Sequence, residues 1–257
     1  MDTTWGAMKL VRRILLLFMM CCPAAIYAQG GPPMATDDPG TPGNGKWEIN
    51  LAAVGTHVRD GWDVDVPEAD INYGWGDRIQ LNLDLPWTFT NTGADGHWRS
   101  GIGDTSIGVK WRFVDKDDNH PVELSTYPRY QSSLSSYSER IGVASPDKEF
   151  FLPIEMATKV QEFDIAADFG RHFVEHDASF WSAGVVVGHS CGSEKVDCLA
   201  EIHREWGSGD AQTLLNFGLR WKLTDALTFL GALGREFGSG SDDQRRAIIY
   251  MGVQVSR

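Results

Sequence analysis

The chain has 257 residues and an acidic balance, 23 Lys and Arg against 35 Asp and Glu, for a net charge of −12. Phosphate contacts need clustered Lys and Arg, so this balance excludes nucleic-acid binding as the default reading. The length suits one large all-β domain, and 28 glycines with 10 tryptophans suit many short strands with turns and aromatic belts.

The N-terminus carries a basic lead, Met8-Lys9-Leu10-Val11-Arg12-Arg13, then the apolar run Ile14 to Cys22 and the stretch Ala25-Ile26-Tyr27-Ala28. This is the pattern of a secretory signal over residues 1–28, cleaved after Ala28. The apolar run is about half of the ~20 residues a membrane helix requires. Bulky Met20 before Cys21 argues against lipoprotein processing. Cleavage would remove three basic residues and one acidic residue, leaving 20 against 34 and a net charge of −14. No apolar run of transmembrane-helix length follows. Residues 29–45, including "GGPPMATDDPGTPGNG", are too rich in Gly and Pro for regular structure and read as an extended lead-in.

From residue 46 to 257 a two-faced pattern keeps returning. Trp47, Ile49, Leu51 and Ala53 alternate with Glu48, Asn50 and Ala52. Ala69, Ile71 and Tyr73 alternate with Glu68, Asp70 and Asn72, and Ile79, Leu81, Leu83, Leu85 and Trp87 with Arg78, Gln80, Asn82 and Asp84. Period-2 alternation marks strands with one apolar and one polar face. Gly74-Trp75-Gly76-Asp77 between the last two reads as a hairpin turn. Further strands of the same kind fall at 105–113, 122–127, 150–159, 165–170, 181–187, 196–203, 213–221, 227–233 and 247–255. The pattern predicts twelve strands, an even number.

Alternation alone fits a sandwich, with its apolar face in a core, or a transmembrane barrel, with its apolar face toward lipid. The connections decide between them. Those after the even strands (around 74–77, 114–120, 161–164, 190–195 and 223–225) are short. Those after the odd strands include the two longest, 88–101 and 132–149. Short periplasmic turns alternating with longer extracellular loops are the habit of outer-membrane barrels. The expected fold is therefore an all-β, antiparallel transmembrane barrel of twelve strands in the cell outer membrane. A secreted sandwich or lipocalin-like barrel is the alternative.

Three stretches, "TDDPGTPGNGKWEINLA" (36–52), "DINYGWGDRIQLNLDLPW" (70–87) and "GIGDTSIGVKWRF" (101–113), resemble the bacterial family named for the MetA pathway of phenol degradation. The likeness spans roughly residues 36–255 and is strongest in the first third. It implies an outer-membrane β-barrel with a transporter role, and brings no catalytic set and no cofactor.

The inward parity holds Glu48, Glu68, Asp70, Asp84, Asp104, Glu123, Glu155 and Asp168 with Arg78, Lys110, Arg112, Arg129, Lys159, Arg220 and Arg246. These either line a selective pore for a small-molecule solute or pair with one another to fill a small barrel. Cys191 and Cys198 flank a turn and could bridge it, since a secreted chain permits disulfides. Seven histidines (57, 97, 120, 172, 176, 189, 203) are scattered, and the i, i+4 spacing of His172 and His176 makes a metal face only on a helix. His189-Ser190 cannot be a nucleophile–base pair, because neighbours in a strand point to opposite faces. No catalytic set, metal site or cofactor is expected.

On the outward parity an arginine is followed two residues later by an aromatic three times: Arg171 and Phe173, Arg204 and Trp206, Arg235 and Phe237. Trp47, Tyr73, Trp111, Phe113 and Trp221 mark the opposite end, so two aromatic belts frame the strands. The arginines are placed to meet phosphates of outer-leaflet lipid and lipopolysaccharide, or to snorkel to water. The functional expectation is a passive channel for small solutes, aromatic ones among them. A non-conducting structural or surface-binding barrel is the rival, and an outer-membrane enzyme comes third.

Overall fold

The computed structural model describes residues 30–92, 95–117, 120–207, 211–238 and 244–257. Residues 1–28, the expected signal segment, lie outside the described residues. The first segments are β1 (Trp47–His57), β2 (Trp62–Trp75), β3 (Ile79–Thr90), β4 (Arg99–Ile102), β5 (Asp104–Val114), β6 (Val122–Thr126) and β7 (Arg129–Ser133). After a short helix, α1 (Ser136–Arg140), come β8 (Glu149–Val160), β9 (Phe163–Val174), β10 (Phe180–Ser190) and β11 (Val196–Trp206). The last three are β12 (Ala211–Lys222), β13 (Leu227–Gly238) and β14 (Ala247–Ser256).

All pair antiparallel in one sheet that closes on itself. β1 pairs with β14 from Glu48 opposite Ser256 to His57 opposite Ala247. Trp47 and Arg257 exchange backbone hydrogen bonds of 2.7 and 2.9 Å at the seam. Closure removes the open edge that would otherwise recruit another chain. Two staves are each made of two segments. β4 and β5 both pair with β3, and β6 and β7 both pair with β8. The second break falls at Tyr127–Pro128, where proline has no N–H for the ladder. The fold is therefore a twelve-stave antiparallel barrel, as the alternation predicts.

The apolar parity faces outward and the polar parity inward. Ile107, Phe217 and Leu233 are 56%, 66% and 63% exposed on the outside, while Asn50, Glu155 and Glu201 are buried within. That is the reverse of a water-soluble fold. Val66-Pro67 forms a bulge in β2, and both residues are exposed. The extra residue lets Asp65 and Glu68, on its two sides, pair on the inward parity.

Connections are sorted by end. The β2–β3, β8–β9, β10–β11 and β12–β13 turns are short and lie at one end with Trp47 and Arg257. The β3–β4 and β7–β8 loops lie at the other. Two local expectations change. Gly74 and Trp75 belong to β2, so the turn is Gly76-Asp77-Arg78, with Gly76 at a φ of 70°. The β7–β8 loop is not featureless, because Ser135 Oγ accepts from Ser138 N at 3.2 Å and caps α1.

Candidate functional site

The lead-in carries no helix or strand over residues 30–45, and it does not stand clear of the barrel. From Gly30 to about Pro42 it folds into the lumen. Its backbone bonds to itself at Gly31 N to Thr36 O (2.8 Å) and Met34 N to Gly31 O (2.9 Å), and barrel side chains meet several of its other amides and carbonyls, as buried backbone groups require. Arg220 on β12 donates to the carbonyl oxygens of Gly30, Gly31 and Pro32, at 3.0 Å for Gly31 and 2.8 Å for Pro32. Glu201 on β11 accepts from Ala35 N at 3.2 Å and Thr36 N at 2.6 Å, and from Asn216 Nδ2 at 3.0 Å.

Lys110 on β5 reaches Asp37 Oδ1 at 2.9 Å and the Asp38 carbonyl, with Glu155 Oε2 at 3.7 Å. Ser125 Oγ donates to the same Glu155 oxygen at 2.6 Å. Met34 is buried in a small apolar cluster with Val186, Leu199 and Ala232, with Tyr250 packed against it. The segment is thus pinned by charge-assisted hydrogen bonds along its length, each worth about 1.5–3 kcal/mol.

The β1–β3 wall is a polar network. Asp70 accepts from Asn50 at 2.9 Å, Asn72 at 3.0 Å and Asn82 at 2.6 Å, and Gln80 donates to Asn72 at 2.7 Å. Between this wall and the lead-in runs a cavity of about 800 Å³, lined by both acidic and basic side chains. Of the inward charges read from the sequence, Glu48, Glu68, Asp70, Asp84, Lys110, Arg129 and Arg220 line it. Glu155 and Asp168 are buried behind the lead-in, where Asp168 Oδ2 accepts from Asp37 N at 3.4 Å.

The remainder stand away from the cavity. Arg78 and Arg112 share Asp115 at the turn end, where Lys159 pairs with Asp164 at 3.1 Å. There the Asp115 carboxyl is pushed up by burial, but hydrogen bonds from Arg112 and Arg78 outweigh this and hold it below the usual carboxylate range. Glu123 is half-buried near that end, and Asp104 accepts from Ser145 N at 2.9 Å near the loop end. Arg246 donates its backbone N–H to His57 O at 2.7 Å. Cys191 and Cys198 form a disulfide across the β10–β11 turn.

His172 and His176 do not converge; His176 pairs with Asp147 at 3.0 Å in an exposed loop. His172 instead stacks between Phe151 and Phe180, with ring centroids 4.0 and 4.2 Å away. Its Nδ1 meets Glu149, and its Nε2 lies 3.1 Å from Ser182 Oγ. This is the hydroxyl–imidazole–carboxylate order of a hydrolase triad, drawn from three staves that no linear spacing reveals. Ser182, however, is completely buried, which suits a structural tie. Among the described residues, no group of three His, Cys, Asp or Glu side chains is placed to hold a metal.

Tyr127, Glu201, Asn216 and Arg245 were missed as lumen residues. Glu201 was legible as an inward position. The role of residues 30–42 was not, because a segment without periodicity names no partner.

No protein-family model matches the chain, and no curated protein is significantly similar to it in sequence. Solved structures share the fold. The COG4313 outer membrane channel from Pseudomonas putida F1 superposes with a TM-score of 0.69 at 10% identity, over 88% of this chain and 99% of that one. The NanC porin gives 0.58 at 8% identity, over 80% and 98%. The KdgM porin gives 0.56 at 10% identity, over 81% and 98%. The chain has the fold of outer-membrane porin-like barrels.

Proposed function

We propose that this chain is a passive outer-membrane channel for small solutes, aromatic ones among them. The observation that carries the reading is the continuous cavity of about 800 Å³ inside a closed barrel whose outer face is apolar. A channel for polar or charged molecules needs such an inside-out distribution. One solved structure of the similar KdgM porin holds a disordered oligogalacturonate. Membership of the phenol-degradation family, cleavage of residues 1–28 and extracellular placement of the β3–β4 and β7–β8 loops belong to the same proposal. So does contact of Arg171, Arg204 and Arg235 with outer-leaflet phosphates. Arg171 lies over Trp181 at 5.0 Å and Arg235 over Phe237 at 5.5 Å on the outer face, where ring and guanidinium suit the headgroup layer.

A second reading, a non-conducting barrel with a structural role, is favoured by the lead-in that occupies part of the lumen. Planar-bilayer conductance separates the two. The channel reading expects discrete conductance from the full chain, larger when residues 30–42 are deleted. Silence from both proteins gives the non-conducting reading.

A further inference from the structure

We infer that Arg129 is an oxyanion-binding group of the lumen, built to take a carboxylate or phosphate on the edge of its guanidinium. The inference names the solute chemistry of the proposed channel and rests on that reading for solute access to the cavity.

Arg129 follows the Tyr127–Pro128 break between β6 and β7, and it stands two positions after Tyr127, on the same inward parity. Its guanidinium lies 4.9 Å from the Tyr127 ring centre and 5.0 Å from that of Phe151. Both rings are buried, at 3% and 5% exposure, so they serve the arginine rather than a solute. Guanidinium tolerates this placement because it is weakly hydrated and binds aromatic faces.

Two glycines make the room. A Cβ at Gly108, the β5 residue paired with Arg129, would sit 2.6 Å from Tyr127 Cε2 and 2.9 Å from Arg129 Cγ. A Cβ at Gly170 on β9 would sit 2.4 Å from Phe151 Cε2. Any other residue at either position would displace a ring of the clamp.

The other buried and half-buried cations that line the cavity have partners. Lys110 holds Asp37, Arg220 holds the lead-in carbonyls, and Arg245 holds Glu236 and Glu205. Among the described residues, the Arg129 guanidinium makes no hydrogen bond and no ion pair, yet the residue lines the cavity. An inward charge with unused donors is costly unless something meets them. With rings against the guanidinium, its free N–H groups form a fixed fork, and a fork matches two oxygens of a carboxylate or phosphate. The carboxylates of Asp37, Glu155 and Asp168 act on it from a distance while bonded elsewhere, which limits affinity and allows release.

Calorimetric titration of the full chain, folded in detergent, tests this with benzoate, inorganic phosphate and benzamide. Saturable binding of benzoate, phosphate or both is expected, with none of the uncharged benzamide; which anion binds identifies the source. Arg129→Gln should weaken it at least tenfold. Arg129→Lys keeps the charge but loses the fork, and should also weaken it; this variant decides the matter if the glutamine form does not fold. Absence of anion binding by the wild type, equal binding of benzamide, or unchanged affinity in both variants overturns the inference. Silent bilayers with Arg129-dependent binding remove the channel reading and leave this one. Conductance without such binding does the reverse.

Discussion

Thr36 Oγ1 lies 1.9 Å from where a Cβ on Gly184 would stand. The lead-in thus presses against a β10 glycine at the inner wall, and that glycine is a condition of its seat. Gly184→Ala should cost about 1–3 kcal/mol, the usual penalty for overpacking. Thr36→Ala should cost little, because its hydroxyl has no hydrogen-bond partner, and it should recover part of the loss in the double variant. Urea unfolding in detergent measures the cycle. Strictly additive losses would show that the two residues do not meet.

Arg220 and Glu201 hold the same segment by charge-assisted hydrogen bonds. Arg220→Gln and Glu201→Gln should each loosen it without opening the barrel, because neither side chain takes part in the ladder. Hydrogen exchange at residues 31–36 should quicken about tenfold or more, from the loss of ~1.5–3 kcal/mol per charged bond. Unchanged protection there, beside unchanged strands, would mean the segment is held by packing and its own backbone hydrogen bonds.

The disulfide between Cys191 and Cys198 closes a sequence separation of only 7 residues at the turn end. Short loops yield little entropy, so replacing both cysteines by serine should cost at most about 2–3 kcal/mol. Mass spectrometry of the non-reduced protein should find no free thiol at either position. Two alkylated cysteines would contradict the bridge.

Asp115 joins Arg78 and Arg112 at the turn end. Its carboxyl is held below its ordinary value in the folded chain, so its stabilising effect is present above the unfolded value of about 3.9 and fades as pH falls through the lower folded value. The stability gap between wild type and Asp115→Asn should therefore be constant near neutrality and close on acidification below about pH 4. A gap that widens with acid would reverse the sign assigned to this cluster.

Orientation is checked on intact cells. A single cysteine in the 132–149 loop should react with an impermeant maleimide, and one in the 114–120 turn should not. Glutamine at Arg171, Arg204 and Arg235 together should reduce the lipopolysaccharide that accompanies the purified protein. Labelling confined to the turn would invert the barrel.

The sequence by itself determined the twelve staves, their faces and the sorting of their loops. A side-chain period of two and the apolar demand of one face are local properties, written into each strand from Trp47 to Val255. It also placed Cys191 and Cys198 across one turn. Only the tertiary structure decided what fills the lumen. Residues 30–42 have no period, and their partners Lys110, Glu201 and Arg220 lie 72 to 190 positions away along the chain. Closure of the barrel brings those three staves around one segment, and separates Arg78 and Lys159 from the inward charges with which they share a parity. The hold on Arg129 is of the same kind. Tyr127 is its near neighbour in sequence, but Phe151 and the two glycines that admit the rings come from β8, β5 and β9, and pairing across the sheet alone puts them together.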